Sequence, residues 1–95
     1  MKHPLHPTAA KRMIGKILRD GVLAFSDHAY VEMANDDLDE LDVRNTLRGG
    51  WCKFSEERVA SWRYRFETYQ QGAVIAFRSE LSAVVVTAFR LKKKR

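Results

Sequence analysis

Ser61-Trp62-Arg63-Tyr64-Arg65-Phe66-Glu67 is the stretch whose reading decides the fold. In an extended chain, successive side chains point to opposite faces. Trp62, Tyr64 and Phe66 therefore share one face, and Ser61, Arg63, Arg65 and Glu67 share the other. A strand of this kind must bury its aromatic face and can leave its charged face open. Working outward, the alternation extends from Val59 to Tyr69, and Trp51 to Ser55 forms a short strand before it. Gln70-Gln71-Gly72 turns the chain into a strand over Ala73–Arg78, and Ser79-Glu80-Leu81-Ser82 turns it into another over Ala83–Leu91. The Val84-Val85-Val86 run suggests a strand buried on both faces.

N-terminal to Gly49-Gly50 the period is helical. Thr8 can cap a helix whose apolar positions Ala10, Ile14, Ile17 and Leu18 follow helical spacing, with Gly21 as its C′ residue. Val22 to Phe25 reads as a short extended connector. Ser26 caps a second helix to about Asn35, with Asp27 favourably placed in the positive first turn. Asp39 caps a third: Asp42 falls at N3, and Leu38 can staple onto Val43. The expected fold class is thus α+β, about three N-terminal helices packed on one face of a four-stranded antiparallel sheet. The helices should supply Ile14, Ile17, Leu18, Val43 and Leu47 to cover Trp62, Tyr64, Phe66, Ile75 and Phe77.

The 95 residues suit a single domain over 1–95, with 1–7 and 92–95 as mobile tails. A hydrophobic content of 45% and a charged content of 31% are those of a soluble globular chain. No apolar run approaches the roughly 20 residues that span a bilayer, and Met1 to Pro7 lacks the apolar segment of a signal peptide. One cysteine, Cys52, excludes an internal disulfide and fits a reducing cytoplasm. The net charge of +5 is unevenly spread. Residues 27–42 carry seven acidic side chains (Asp27, Glu32, Asp36, Asp37, Asp39, Glu40 and Asp42) and no Lys or Arg, whereas residues 43–95 carry twelve basic and four acidic. Such polarity serves solubility, and it also gives the molecule one region that attracts polyanions and one that repels them.

Register connects this charge to function. A two-residue turn at Gln70-Gln71 pairs Arg63 with Arg78; a turn at Gln71-Gly72 pairs Arg65 with Arg78. Either choice places Arg63, Arg65 and Arg78 on one face. Like charges across strands destabilise a sheet, so this platform suits phosphate, whose oxygens a guanidinium fork clasps bidentately. The plainer alternative is a solvated face. His28 lies in the first turn of the second helix, where the positive helix end favours a neutral imidazole able to accept a proton. The plainer reading there is a surface histidine. Thr87 reaches the arginine face if the last turn is the two residues Glu80-Leu81; a turn one residue longer sends Thr87 to the core and brings Arg90 outward. His3, His6, His28 and Cys52 match no zinc spacing, so no metal is expected. Cys52 has no local partner for nucleophilic chemistry, and no phosphate-binding glycine loop, Walker sequence or Ser-His-Asp cue is present.

Phe25-Ser26-Asp27-His28-Ala29 opening a helix, Leu41-Asp42-Val43-Arg44-Asn45-Thr46-Leu47-Arg48-Gly49-Gly50 before the sheet, and Val84-Val85-Val86-Thr87-Ala88 in the closing strand together carry a resemblance. Over residues 9–91 the chain resembles the MqsR-like branch of the RelE-type toxin superfamily. The resemblance implies a helix-then-sheet fold and cofactor-free, metal-independent cleavage of messenger RNA, in solution or on the ribosome, with a cognate antitoxin as partner and no membrane. Its motifs place His28 and Thr87 in the active site, and the register argument adds Arg63, Arg65 and Arg78, with Arg90 as the alternative to Thr87. Lysines and tyrosines that act in other branches have no equivalent here. Two other readings use the same features: a catalytically silent RNA- or ribosome-binding module on the basic face, or a protein-interaction domain docking through the acidic 27–42 segment.

Overall fold

The computed structural model of the chain describes residues 3–58 and 61–91. In chain order it runs α1 (Pro7–Asp20), β1 (Val22–Phe25), α2 (Asp27–Asn35), α3 (Glu40–Gly49), β2 (Trp51–Arg58), β3 (Ser61–Glu67), β4 (Gln71–Ser79) and β5 (Ser82–Arg90). The sheet has five strands in the order β1-β5-β4-β3-β2. The expectation of four antiparallel strands is therefore corrected: Val22–Phe25 is a strand, parallel to β5, and the sheet is mixed. Its four residues are too few for a periodic signal, and its partners, Ser82 to Val85, lie far along the chain. Gly21 makes the junction possible. A Cβ there would collide with the Leu81 carbonyl oxygen, which accepts the Val22 amide at 2.9 Å. The basic residues 92–95 lie outside the described residues.

The helices begin and end where their polar groups are satisfied. His6, rather than Thr8, caps α1: its Nδ1 accepts the Thr8 amide at 3.1 Å, and Pro7 follows as a helix-compatible first residue. Ser26 caps α2, and Asp39 with Asp42 forms a reciprocal capping box on α3. The α3 C-terminus receives the Lys11 ammonium, which donates to the carbonyls of Leu47 and Arg48. Partial burial of that lysine lowers its pKa. At the end of α2, Asp37 takes φ of 59° while Leu38 N–H bonds the Met33 carbonyl and Asp37 N–H that of Ala34, a Schellman closure.

One face of the sheet is buried. Tyr64, Phe66, Ile75 and Val85 pack with Ile14, Ile17, Val43 and Leu47, and α2 adds Ala29 and Met33. Trp62, Phe77 and Leu18 are half-buried around this cluster. Each fully buried large side chain contributes ~1.5–3 kcal/mol. The chain before α1 closes the end of the core, with His3 Nδ1 at 2.5 Å from the Tyr64 hydroxyl and the Leu5 amide donating to that hydroxyl at 2.8 Å. The opposite sheet face holds the charged side chains of β3, Arg63, Arg65 and Glu67.

Candidate functional site: a cleft on the open sheet face

Two irregularities in the strands shape the open face. Between Cys52 and Phe54 the β2–β3 register slips, so that Cys52 faces Phe66 in the core while Phe54 faces Arg65. The extra residue reverses the alternation. Phe54, Glu56 and Arg58 therefore reach the open face, whereas strict alternation from Cys52 would send them under the helices. In β5 a second slip, between the pairs Val74–Thr87 and Ile75–Val85, inserts Val86. Val86 and Thr87 then both line the open cleft. A compensating slip next to Arg78 in β4 leaves Thr87 on the face expected from a two-residue Glu80-Leu81 turn.

The β5 bulge also fixes where α2 begins. Past Phe25, β1 ends and its chain continues along the same edge of β5. Ser26 N–H bonds the Val85 carbonyl at 3.0 Å, and its hydroxyl donates to the bulged Val86 carbonyl at 3.1 Å while accepting the Ala29 amide at 3.0 Å. One serine thus satisfies a bulge and caps a helix. His28, two residues on, is carried over the rim of the sheet and faces the cleft.

The cleft has a volume of about 320 Å³ and is lined from one side by His28, Val86, Thr87 and Phe89, from the other by Phe54, Glu56, Arg58, Arg63 and Arg65, with Val74 in its floor. Arg65 is held in place. Its guanidinium carbon lies 4.4 Å from the centre of the Phe89 ring and 5.7 Å from that of Phe54, and its Nε donates to Glu67 Oε2 at 2.5 Å. Both ring distances fall within cation–π range. Phe89 can lie this way because Gly72 faces it across the strands; a Cβ at Gly72 would overlap the ring. Arg63 is half-buried and, among the described residues, has no carboxylate partner. It is the arginine of the cleft whose fork is available to a ligand.

Of the residues singled out in the sequence, His28, Thr87, Arg63 and Arg65 come together in this cleft. Arg78 does not. The β3–β4 turn comes earlier than expected, at Tyr69-Gln70, with Thr68 N–H bonding the Gln71 carbonyl, so Arg65 faces Val74 and no arginine pairs with Arg78. Arg78 is exposed and lines a neighbouring groove of about 390 Å³ that shares Arg63 and Val86 with the cleft. Arg90 lies elsewhere: its Nε and Nη2 donate to the carbonyls of Asp36 and Asp37, and its amide to the Asp36 carboxylate, so it locks the end of α2. Cys52 and Tyr64 face the core, and burial raises both their pKa values, keeping thiol and phenol protonated near neutral pH.

Of the charged and aromatic residues of the cleft, sequence reasoning missed Phe54, Glu56, Arg58 and Phe89. Strand alternation alone could not find the β2 set, because the bulge at Lys53 leaves no periodic mark. In the acidic segment, four of the seven carboxylates have local tasks: Asp36 holds the Arg90 amide, Asp39 and Asp42 cap α3, and Glu40 accepts the Tyr30 hydroxyl at 2.7 Å. No group of three or more His, Cys, Asp or Glu side chains gathers at metal-binding distance among the described residues, and no described helix is long and apolar enough to cross a membrane. Compared with protein-family models, curated proteins and solved structures, the chain matches none.

Proposed function

We propose that the protein binds RNA on its open sheet face and cleaves it in the His28 cleft without a metal ion. One observation carries this reading: a histidine and a threonine from one wall and three arginines from the other line a single cleft. Cleavage by an internal nucleophile needs a base for the 2′-hydroxyl and cations for the charge that develops on phosphorus. His28 takes the 2′-hydroxyl proton as that oxygen bonds phosphorus. The bond to the 5′-oxygen breaks, water protonates the leaving oxygen, and a 2′,3′-cyclic phosphate remains. Arg63 offers its fork to the phosphate oxygens, Arg65 adds fixed positive charge, and Thr87 stands beside His28 to hold a phosphate oxygen. The resemblance to RelE-type toxins extends the reading to messenger RNA as substrate, a cognate antitoxin as partner and the cytoplasm as its place of action.

A binding module without chemistry is favoured by one specific observation: His28 is exposed, and among the described residues nothing hydrogen-bonds its ring. The test is incubation of the purified chain with single-stranded RNA in EDTA. Wild type should yield cyclic-phosphate ends, and His28→Ala should cut about 10²–10⁴-fold more slowly while still binding RNA. Equal cleavage by both rejects the role of His28. RNA binding with no cleavage by wild type leaves the binding module.

A further inference from the structure

Beyond the cleft, the open face continues into a groove that the cleavage reading does not use. It has a volume of about 620 Å³ and is lined by Gly49, Gly50, Trp51, Lys53, Glu67, Thr68, Tyr69 and Leu91. Its aromatic rings are unusually bare: Trp51 is 65% exposed and Tyr69 96%, although exposing such rings forgoes their burial energy. Trp51 faces Glu67 across the strands, on the same face as Arg65. The Arg65–Glu67 ion pair is the wall shared by cleft and groove. From Arg78 through Arg63 and Arg65 to Trp51, three depressions thus follow one another, the first two sharing Arg63 and Val86 and the third set off from the cleft by the Arg65–Glu67 pair.

We infer that the Trp51–Tyr69 groove is a nucleobase-stacking subsite, which receives a base flanking the phosphate held in the cleft and so selects single-stranded RNA. The inference rests on the RNA reading above and names the form of RNA. The chemistry of the two depressions differs in the way a nucleotide requires. The cleft presents arginines to a phosphate. In the groove, the Glu67 carboxylate repels phosphate, whereas two exposed rings offer π-faces on which any base can stack. Lys53, the bulged residue of β2, stands at its rim to meet the backbone of the same nucleotide. From Arg63 to Glu67 the two depressions span about 13 Å of strand. A base that stacks on Trp51 must be free of its partner, so a duplex cannot fill both depressions.

The chain has two tryptophans, and Trp62 packs against the helix-side core. Trp62→Phe therefore leaves Trp51 as the sole tryptophan, read by excitation beyond the tyrosine band. The probe is a 2′-O-methyl octanucleotide, which cannot be cut, beside the same backbone lacking bases. The base-bearing strand should quench Trp51 emission saturably and the abasic strand should not. In the otherwise native chain, Trp51→Ala should weaken binding of the base-bearing strand about 5- to 150-fold, the range of a lost stacked base. The slope of affinity against salt should stay unchanged, and Trp51→Phe should restore most of the affinity. Strands that bind by anisotropy with Trp51 emission unmoved and Trp51→Ala neutral overturn the subsite but leave the RNA reading standing. No binding of either strand by wild type overturns both.

Discussion

Within β3, Tyr64 and Phe66 are 0% exposed, while Arg63 and Arg65 on the opposite face remain within reach of solvent. The buried pair meets Ile14, Ile17 and Leu47 from the helices. Among the described residues, the side chains that hold the open pair lie on strands: Phe54, Phe89 and Glu67 around Arg65, and Ser61 near Arg63. One face of a single strand thus holds the fold, and the other holds charge that the fold has no need of. Arg65 receives two aromatic rings and a carboxylate simply to be kept in place. A half-buried side chain so oriented presents a fixed charge to whatever enters the cleft.

The sharpest way to break this comparison is one substitution on each face. Phe66→Ala removes a fully buried ring and should lower stability by ~3–5 kcal/mol, a large part of the total for a domain of this size. Arg65→Ala should cost about 1 kcal/mol or less. Urea denaturation of the two variants reads the difference directly; equal losses would mean that the open face is structural after all.

Gly72 sharpens the comparison from the middle of the sheet. Its missing Cβ is space taken by the Phe89 ring, on which Arg65 stacks. Gly72→Ala should cost ~1–3 kcal/mol through overpacking and weaken RNA binding by displacing Phe89 and Arg65 together. A variant with wild-type RNA affinity would show that Arg65 does not depend on the Phe89 stack for its place.

Much of the buried face was legible in the sequence. Ser26, Asp39 and Asp42 mark helix starts because capping is local, and Trp62, Tyr64 and Phe66 mark the core side of β3 because alternation is local. The open face was legible in part: the shared parity of Arg63, Arg65 and Thr87 follows from alternation and a two-residue last turn. What escaped depends on contacts between distant segments. The pairing of Val22 to Phe25 with β5 leaves no mark in four residues. The bulges at Lys53 and Val86 shift whole sets of side chains between faces without altering composition. The earlier turn, closed by Thr68 and Gln71, separates Arg78 from Arg65, and Arg90 turns to the end of α2, whose carbonyls only the folded chain brings near.

The central claim is that RNA meets the open face of the sheet and not the helices or the acidic segment. Titrating uncleavable single-stranded RNA into ¹⁵N-labelled protein tests it residue by residue. The account predicts amide shifts concentrated at His28, Phe54, Arg63, Arg65, Thr87 and Phe89, with Ile14, Ile17 and Leu47 unmoved. Shifts confined to α1 and α3, or to Glu32 through Glu40, would contradict it.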